Sequence, residues 1–399
     1  MECHYRHLAS SAKGVLRDMR RDRGWQAMKR LPRSLFVCAT LTLGVAGCQP
    51  SLPPLTPQEQ ATMQTLTHAM TPRCIGRYLI DLPAGMVPSG WGGLKAQGVN
   101  IEVAPLIEPL FQLRYERREA ELRAAHLDGQ PDQPSLKEIV PLRGAMGGIF
   151  NRADDNALVN AGRTLELHAW RDGYAIKMWI KARDVSYSAD NLDEQYKAIG
   201  TNVPQMQALL LDVFARIRGR ADTEIPSEPG LCFHGGFLQG TATDEENLDM
   251  DYVFTDIPDV SLSISYNSNI VEDNTLLDRS KDIEANERNA EGHTLRKGKR
   301  QSHGGLAFEE WLSAGNTDDH VKGHIFTLEA NSKIGSAQTP LLVIDFQNGK
   351  RFGIPDKRPP GSLPLDSPPP LAKASLSEGE AVALWDAITD TLRPRPNGF

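Results

Sequence analysis

The sequence lacks the motifs from which enzymes build recognisable active sites. It contains no Gly-x-Ser-x-Gly elbow, no His-Glu-x-x-His helix, no phosphate-binding glycine loop and no Cys-x-x-Cys pair. Its ten histidines are scattered without metal-ligand spacing. The glycine pairs after His234 and His303 have no nucleophile elbow to serve, so we interpret them as turn glycines. The sequence therefore predicts no catalytic residue, no metal site and no cofactor.

The chain also lacks an apolar run long enough to cross a bilayer as a helix. The run at 35–45 falls short of the roughly 20 residues that a crossing requires. It follows three basic residues and ends in the tetrapeptide Val-Ala-Gly-Cys at 45–48, which has the form of a lipobox. This pattern predicts a lipoprotein signal peptide at 28–47, cleavage before Cys48, and lipidation of the Cys48 thiol.

The segments on either side of this signal have simple interpretations. Residues 1–27 are rich in arginine and lack apolar periodicity, so we interpret them as an N-terminal extension from a misassigned start, with Met28 as the initiator. Residues 48–55 form a proline-rich tether. Gln49 stands where an aspartate would retain a lipoprotein in the inner membrane. We therefore expect a periplasmic protein that is lipid-anchored to the outer membrane.

The charge balance of the chain favours a basic partner. The net charge is −7, and residues 1–47 hold nine Lys and Arg against three Asp and Glu, so the chain from Cys48 carries −13. This acidity argues against nucleic acid and against membrane contact other than through the lipid. It favours a basic partner surface, or else it only keeps the protein soluble. The acidic run at Asp244, Glu245 and Glu246 is the predicted partner-binding patch.

Length and order of elements predict two similar domains. The boundary falls in the polar, Gly- and Pro-rich segment at 218–230, which gives domains at 56–225 and 226–399. Both halves show the pattern of strands, a charged helix, a Gly-Gly pair, more strands and a final helix, so we predict an internal duplication of one α+β domain with an antiparallel sheet and packed helices. The second copy carries a Pro-rich insertion at 355–370.

Several local elements have clear signals. Capping boxes predict helices after Thr56 and Ser377. A hairpin is predicted over 164–182, a single strand over Cys74–Pro83, and a helical stretch over 275–290. The offset between Gly147 and Gly304 is 157, close to the offset of 158 between Cys74 and Cys232.

The two cysteines outside the leader that are not lipidated are Cys74 and Cys232. In an oxidising periplasm they are candidates for one disulfide, which would join the two copies near a pseudo-two-fold axis. The alternative is two separately buried thiols.

Three segments carry a resemblance to a known family. Cys74–Pro83, Arg163–His168 and Gly230–Phe237 resemble segments of the type VI lipase-effector cognate immunity lipoproteins, in the group paired with the fourth class of those phospholipases. The resemblance implies a periplasmic, membrane-anchored, two-domain clamp that binds a cognate phospholipase effector and inhibits it, with no catalysis of its own. Contact residues cannot be carried over, because they change with the partner. An envelope lipoprotein hydrolase and a structural or transport lipoprotein remain alternatives.

Overall fold

The computed structural model describes residues 53–155, 161–186, 200–352 and 371–399. The predicted extension at 1–27, the signal peptide at 28–47, the lipidated Cys48 and the insertion at 355–370 lie outside the described residues. We call residues 56–225 the first half and residues 226–399 the second half.

The first half contains three described helices and eleven strands. The helices are α1 Pro57–Thr67, α2 Glu108–Ala124 and α3 Val203–Ala215. The strands are β1 Met70–Ile75, β2 Tyr78–Pro83, β3 Met86–Ala96, β4 Val99–Pro105, β5 His126–Leu127, β6 Gln130–Pro134, β7 Leu136–Pro141, β8 Met146–Ala153, β9 Gly162–Arg171, β10 Tyr174–Arg183 and β11 Ile217–Gly219.

The second half contains two described helices and nine strands. The helices are α4 Ser280–Asn289 and α5 Glu378–Thr389. The strands are β12 Gly230–Phe233, β13 Gly236–Gln239, β14 Glu246–Phe254, β15 Val260–Asn267, β16 His293–Gln301, β17 Ala307–Asn316, β18 Lys322–Ala330, β19 Leu341–Asn348 and β20 Arg393–Pro394. The capping boxes predicted at Thr56 and Ser377 are confirmed at the starts of α1 and α5.

One antiparallel sheet of twelve strands runs through both halves. Its order is β16-β17-β18-β19-β15-β14-β3-β4-β10-β9-β8-β7. The strand order is the same in each half when it is followed outward from the β3–β14 pair at the centre of the sheet. Strands β14 and β15 correspond to β3 and β4. Strands β19, β18, β17 and β16 correspond to β10, β9, β8 and β7. The α+β class and the two similar halves are thus confirmed, and the halves are joined edge to edge.

The central strand pair depends on one glycine. Gly92 in β3 has φ +113°, and a Cβ built there would lie 2.2 Å from the backbone oxygen of Asp249 in β14. The register between these strands shifts between Met250 and Tyr252 at the same point. Only a residue without a side chain permits this approach, so Gly92 fixes how the two halves meet.

Two small sheets exchange strands between the halves. The hairpin β1-β2 of the first half is completed by β20 from the end of the second half, and the hairpin β12-β13 is completed by β11 from the end of the first. Equivalent backbone hydrogen bonds join the exchanged segment to the hairpin in each small sheet. Arg395 N–H donates to Arg77 O in one sheet, and Arg220 N–H donates to Gly235 O in the other, both at 2.9 Å. Each half therefore needs a strand from the other.

The same region holds the disulfide between Cys74 and Cys232. Their Cα atoms are 5.7 Å apart, and both side chains are fully buried. Cys74 pairs with Leu79 in the first hairpin and Cys232 pairs with Phe237 in the second, so the cysteines occupy equivalent positions in the two copies.

One hydrophobic core lies under the whole sheet. It includes Met178 and Leu210 from the first half and Phe346 and Trp385 from the second, with α3 packed on β9 and β10 and α5 packed on β18. Helix α1 packs against α5. These three helices cover one face of the sheet and leave the other to α2 and α4.

The structure corrects three local predictions. Residues 74–83 form two strands, because Gly76 adopts φ +57° and turns the chain between β1 and β2. The helix within 275–290 is shorter than predicted and begins at Ser280. Gly147 lies inside β8, whereas Gly304 precedes β17, so this pair of glycines is not equivalent.

Candidate partner-binding face

The second face of the twelve-stranded sheet is polar at its centre. In β15, Leu262, Ile264 and Tyr266 point into the core, so the alternate residues point to the opposite face. Those alternate residues are Ser261, Ser263 and Ser265. Residues that are paired across neighbouring strands point to the same face of the sheet. The register of β15 with β14 and β19 therefore assigns the residues of those strands to one face or the other.

Two helices that follow equivalent strands of the two halves, β4 and β15, border this polar face. Helix α2 packs on β8 and β9, and helix α4 packs on β16 and β17. The central strands β3, β4, β14 and β15 lie between them along the sheet. We call this surface, from α2 across the central strands to α4, the polar face.

On the first-half side of the polar face, one buried carboxylate has three basic partners. Glu166 accepts hydrogen bonds from Arg118 at 2.9 Å and Arg152 at 2.6 Å, and His168 Nε2 lies 2.8 Å from it. Burial raises the pKa of Glu166, but the hydrogen bonds from His168 and the two arginines outweigh it and hold that pKa well below its usual range. Lys177 extends the positive charge, 3.3 Å from the exposed Glu102.

The same side carries a large cleft. Its volume is about 710 Å3, and it lies between α2 and strands β3 and β4. Phe111, Arg114 and Tyr115 of α2 form one wall, and His234 from the β12-β13 turn closes an end. The cleft therefore combines aromatic surface with basic side chains.

On the second-half side, carboxylates outnumber their basic partners. Asp249 and Asp251 of β14, Asp345 of β19 and Glu329 of β18 all point to the polar face. Among the described residues, Arg279 is the basic side chain in hydrogen-bond contact with this group, through Glu329. The two sides of the polar face therefore carry opposite charge.

An apolar tip stands at each end of the polar face. In the first half, Ile107, Leu110 and Leu113 are exposed at the start of α2, with Ile107 at 69%. In the second half, Ile270, Val271 and Ile334 are exposed. Ile107 follows β4, and Ile270 and Val271 follow the equivalent strand β15, whereas Ile334 lies in the β18–β19 connection. A backbone hydrogen bond holds each tip to a hairpin connection, from Leu106 N–H to Gly173 O and from Glu272 N–H to Ser332 O.

The structure exposes two residues of the predicted acidic patch and buries the third. Asp244 and Glu245 are exposed, and Asp244 accepts a hydrogen bond from Ala337 N–H at 3.3 Å. Glu246 is only 1% exposed and forms a two-point ion pair with Arg77, at 2.9 and 2.6 Å. Including Glu246 in a partner-binding patch was therefore wrong, because its carboxylate is committed inside the fold.

A sequence signal for this burial existed. Glu246 lies at a spacing of two residues from Leu248, and Met250 and Tyr252 continue this spacing on the side of β14 that faces the core. No sequence signal shows that the carboxylates of the polar face are neighbours, because Asp251, Glu329 and Asp345 are far apart in sequence and only strand register brings them together.

Two further findings concern the residues that the structure describes. Within them, no group of three or more His, Cys, Asp or Glu side chains is arranged to hold a metal ion. Likewise, none of the described helices is both long enough and apolar enough to span a membrane.

Comparison with known proteins identifies relatives along most of the chain. Residues 71–220 match the N-terminal domain and residues 224–397 the C-terminal domain of the family described as Tle cognate immunity protein 4, which is about four fifths of the chain. No curated protein sequence is significantly similar.

Solved structures share the fold. An apo immunity protein, TplEi, of the type VI secretion system of Pseudomonas aeruginosa is 24% identical with a TM-score of 0.59, over 82% of this chain and 97% of that one. A chain of the Tle4–Tli4 complex gives the same identity and TM-score over 82% and 98%. TplEi bound to a peptide called "L" gives 0.56 at 24% identity, again over 82% and 98%.

Proposed function

Because the chain belongs to the Tle cognate immunity protein 4 family, we propose that it binds a cognate type VI phospholipase effector and inhibits it without catalysis of its own. In this way it protects the producing cell. The observation that carries the proposal is the polar face, which is bordered by two helices, charged with opposite sign at its two sides and flanked by two apolar tips.

The size and composition of the polar face suit a protein partner. Exposed Ile107 and Val271 supply apolar anchors at separate points, and the charged side chains between them can fix orientation. A small molecule would use one enclosed cleft, whereas these features are spread over both halves.

The joined halves favour inhibition by a preformed surface. The shared sheet, the exchanged strands and the disulfide Cys74–Cys232 hold the two tips in a fixed relation. A partner that contacts both tips then binds with little ordering cost. An interfacial lipase is inhibited when its lid or active-site mouth is held shut, so affinity alone is sufficient.

The proposed location follows from the N-terminal signal. We propose that Cys48 is lipidated and that the protein is anchored in the periplasm at the outer membrane, with Gln49 permitting that sorting. Palmitate labelling of the wild type and of Cys48→Ala tests this directly. Label that persists in the variant would contradict the proposal.

Inhibition is tested by titration. The chain from Gln49 is added to the purified cognate phospholipase, and hydrolysis of phospholipid vesicles is followed. We expect hydrolysis to fall linearly and to vanish near a one-to-one ratio. Undiminished hydrolysis at stoichiometric excess would overturn the proposal, and hydrolysis by the chain alone would favour the alternative of an envelope hydrolase.

A further inference from the structure

The carboxylates on the second-half side of the polar face are cross-strand neighbours. Asp251 of β14 lies opposite Ser263 of β15, Ser263 opposite Asp345 of β19, and Asp345 opposite Thr327 of β18. These four residues form one row across four strands. Because neighbouring strands are about 4.8 Å apart, the two aspartates stand roughly 10 Å apart with the small Ser263 between them.

A second row runs beside the first. Asp249 lies opposite Ser265, Ser265 opposite Val343, and Val343 opposite Glu329. We call Asp249, Asp251, Asp345 and Glu329 the carboxylate cluster.

Protein groups satisfy the carboxylate cluster only in part. The hydroxyl group of Ser265 donates to Asp249 and that of Thr327 to Asp345, both at 2.6 Å. Arg279 donates to Oε2 of Glu329. Oε1 of Glu329 has no hydrogen-bond partner although that side chain is only 3% exposed. A buried carboxylate oxygen without a donor is costly, and a donor supplied by a ligand would remove that cost.

Burial and like charge both disfavour the ionised form of two carboxyl groups in the carboxylate cluster. Burial raises the pKa of Asp345, and the charge of Glu329 raises it further. Burial also raises the pKa of Asp251, with a contribution from Asp249 that a hydrogen bond from Ser263 opposes. Both carboxyl groups thus lie where a bound positive charge would stabilise their ionised form.

The space beside the cluster suits an aliphatic chain. A cleft of about 320 Å3 opens between α4 and strands β17 and β18, and it reaches Arg279 and Thr327. Its wall includes Leu276, Trp311 and Ile325, the last 50% exposed. A long side chain can lay its methylene groups here and place a charged end among the carboxylates.

We infer that the carboxylate cluster receives a basic side chain of the effector, most favourably an arginine whose guanidinium lies above Ser263 between Asp251 and Asp345. This inference rests on the proposed function. A guanidinium presents five donors in a plane and can serve carboxylates on both sides. A divalent metal ion needs converging ligands, and the described residues offer no such group.

The test compares the affinity of variants for the cognate lipase by calorimetry. Asp251→Asn with Asp345→Asn removes two charges and preserves shape. The matched control is Asp128→Asn with Asp132→Asn, which removes two exposed charges in the β5-β6 hairpin, outside the twelve-stranded sheet. We expect the first pair to weaken binding at least ten-fold and the control pair to change it less than two-fold.

A third variant keeps the result decisive if the first pair misfolds. Ser263→Lys leaves both aspartates in place and supplies an internal ammonium between them, so it should weaken binding to a similar degree. Full affinity in both Ser263→Lys and the folded Asp251→Asn/Asp345→Asn protein would overturn the inference while leaving the proposed function intact. A wild type that does not bind the lipase would instead overturn the proposed function, and the inference with it.

Calcium titration of the wild type without the lipase separates a basic side chain from a metal ion. We expect no binding heat. Calcium binding that disappears in Asp251→Asn/Asp345→Asn would show that the cluster is a metal site and would overturn the inference.

Discussion

The two halves of the molecule share one strand order and differ in charge on the polar face. In the first half, the buried Glu166 is matched by Arg118, Arg152 and His168 within the protein. In the second half, Asp345 and Glu329 stand among other carboxylates with Arg279 as the contacting cation. The core-facing residues preserve the duplicated fold, while the outward residues are free to diverge, so function is to be sought where the copies differ.

The largest expected effect comes from separating the halves. If the chain is cut at the predicted boundary and residues 56–225 and 226–399 are expressed singly, each lacks the strand that completes its hairpin and one neighbour of its central strand. We expect neither piece to show a cooperative unfolding transition by circular dichroism. A sharp transition in either piece would show that the halves are independent domains.

The next effect concerns the disulfide between the halves. Reducing it, or replacing Cys74 and Cys232 by serine, should lower the free energy of unfolding by about 4 to 5 kcal/mol in the chain-entropy model, because the bond closes a loop with a separation of 158 residues. Denaturant unfolding with and without reductant measures this. Two reactive thiols in denatured, unreduced protein would contradict the bond.

Matched substitutions of the two glutamates sharpen the contrast between the sides. Glu166→Gln leaves Arg118 and Arg152 without their carboxylate and should cost about 2 kcal/mol, below the range for fully buried pairs because both arginines are partly exposed. Glu329→Gln should cost less than about 1 kcal/mol, since it loses one partly exposed arginine and relieves repulsion. Equal costs in thermal unfolding would contradict the contrast.

The pH dependence of the free energy of unfolding should also differ between the two sides of the polar face, and this is the smallest of the expected effects. The pKa of Glu166 is lowered on folding, so its contribution is complete above the unfolded pKa and is lost as pH falls toward the folded one. Burial and, to a smaller extent, neighbouring carboxylates raise the pKa values of Asp251 and Asp345, so the free energy of unfolding falls as the pH rises from their unfolded pKa values through the folded ones.

Unfolding at pH 4 to 8 in Asp251→Asn/Asp345→Asn checks this pH dependence. Relative to the wild type, the variant should gain stability at pH 7 and lose that advantage as the pH falls. A variant that is less stable than the wild type at pH 7 would indicate a structural role for these aspartates.

Local sequence signals predicted much of the fold and little of the site. The capping boxes at Thr56 and Ser377 and the hairpin over 164–182 were readable because each depends on neighbouring residues. The pairing of Arg77 with Glu246 spans 169 positions and depends on sheet register. Register also assembles the carboxylate cluster, so a sequence pattern of period two can assign a side chain to a face but cannot name its neighbours.

The central claim is that the effector binds across the polar face and contacts both apolar tips. Hydrogen exchange of the wild type, alone and with one equivalent of the lipase, tests it most directly. The account predicts slower exchange at 106–110 and at 269–273 together, with little change in α1 and α5 on the opposite face. Protection confined to α1 and α5, with both tips unchanged, would contradict it.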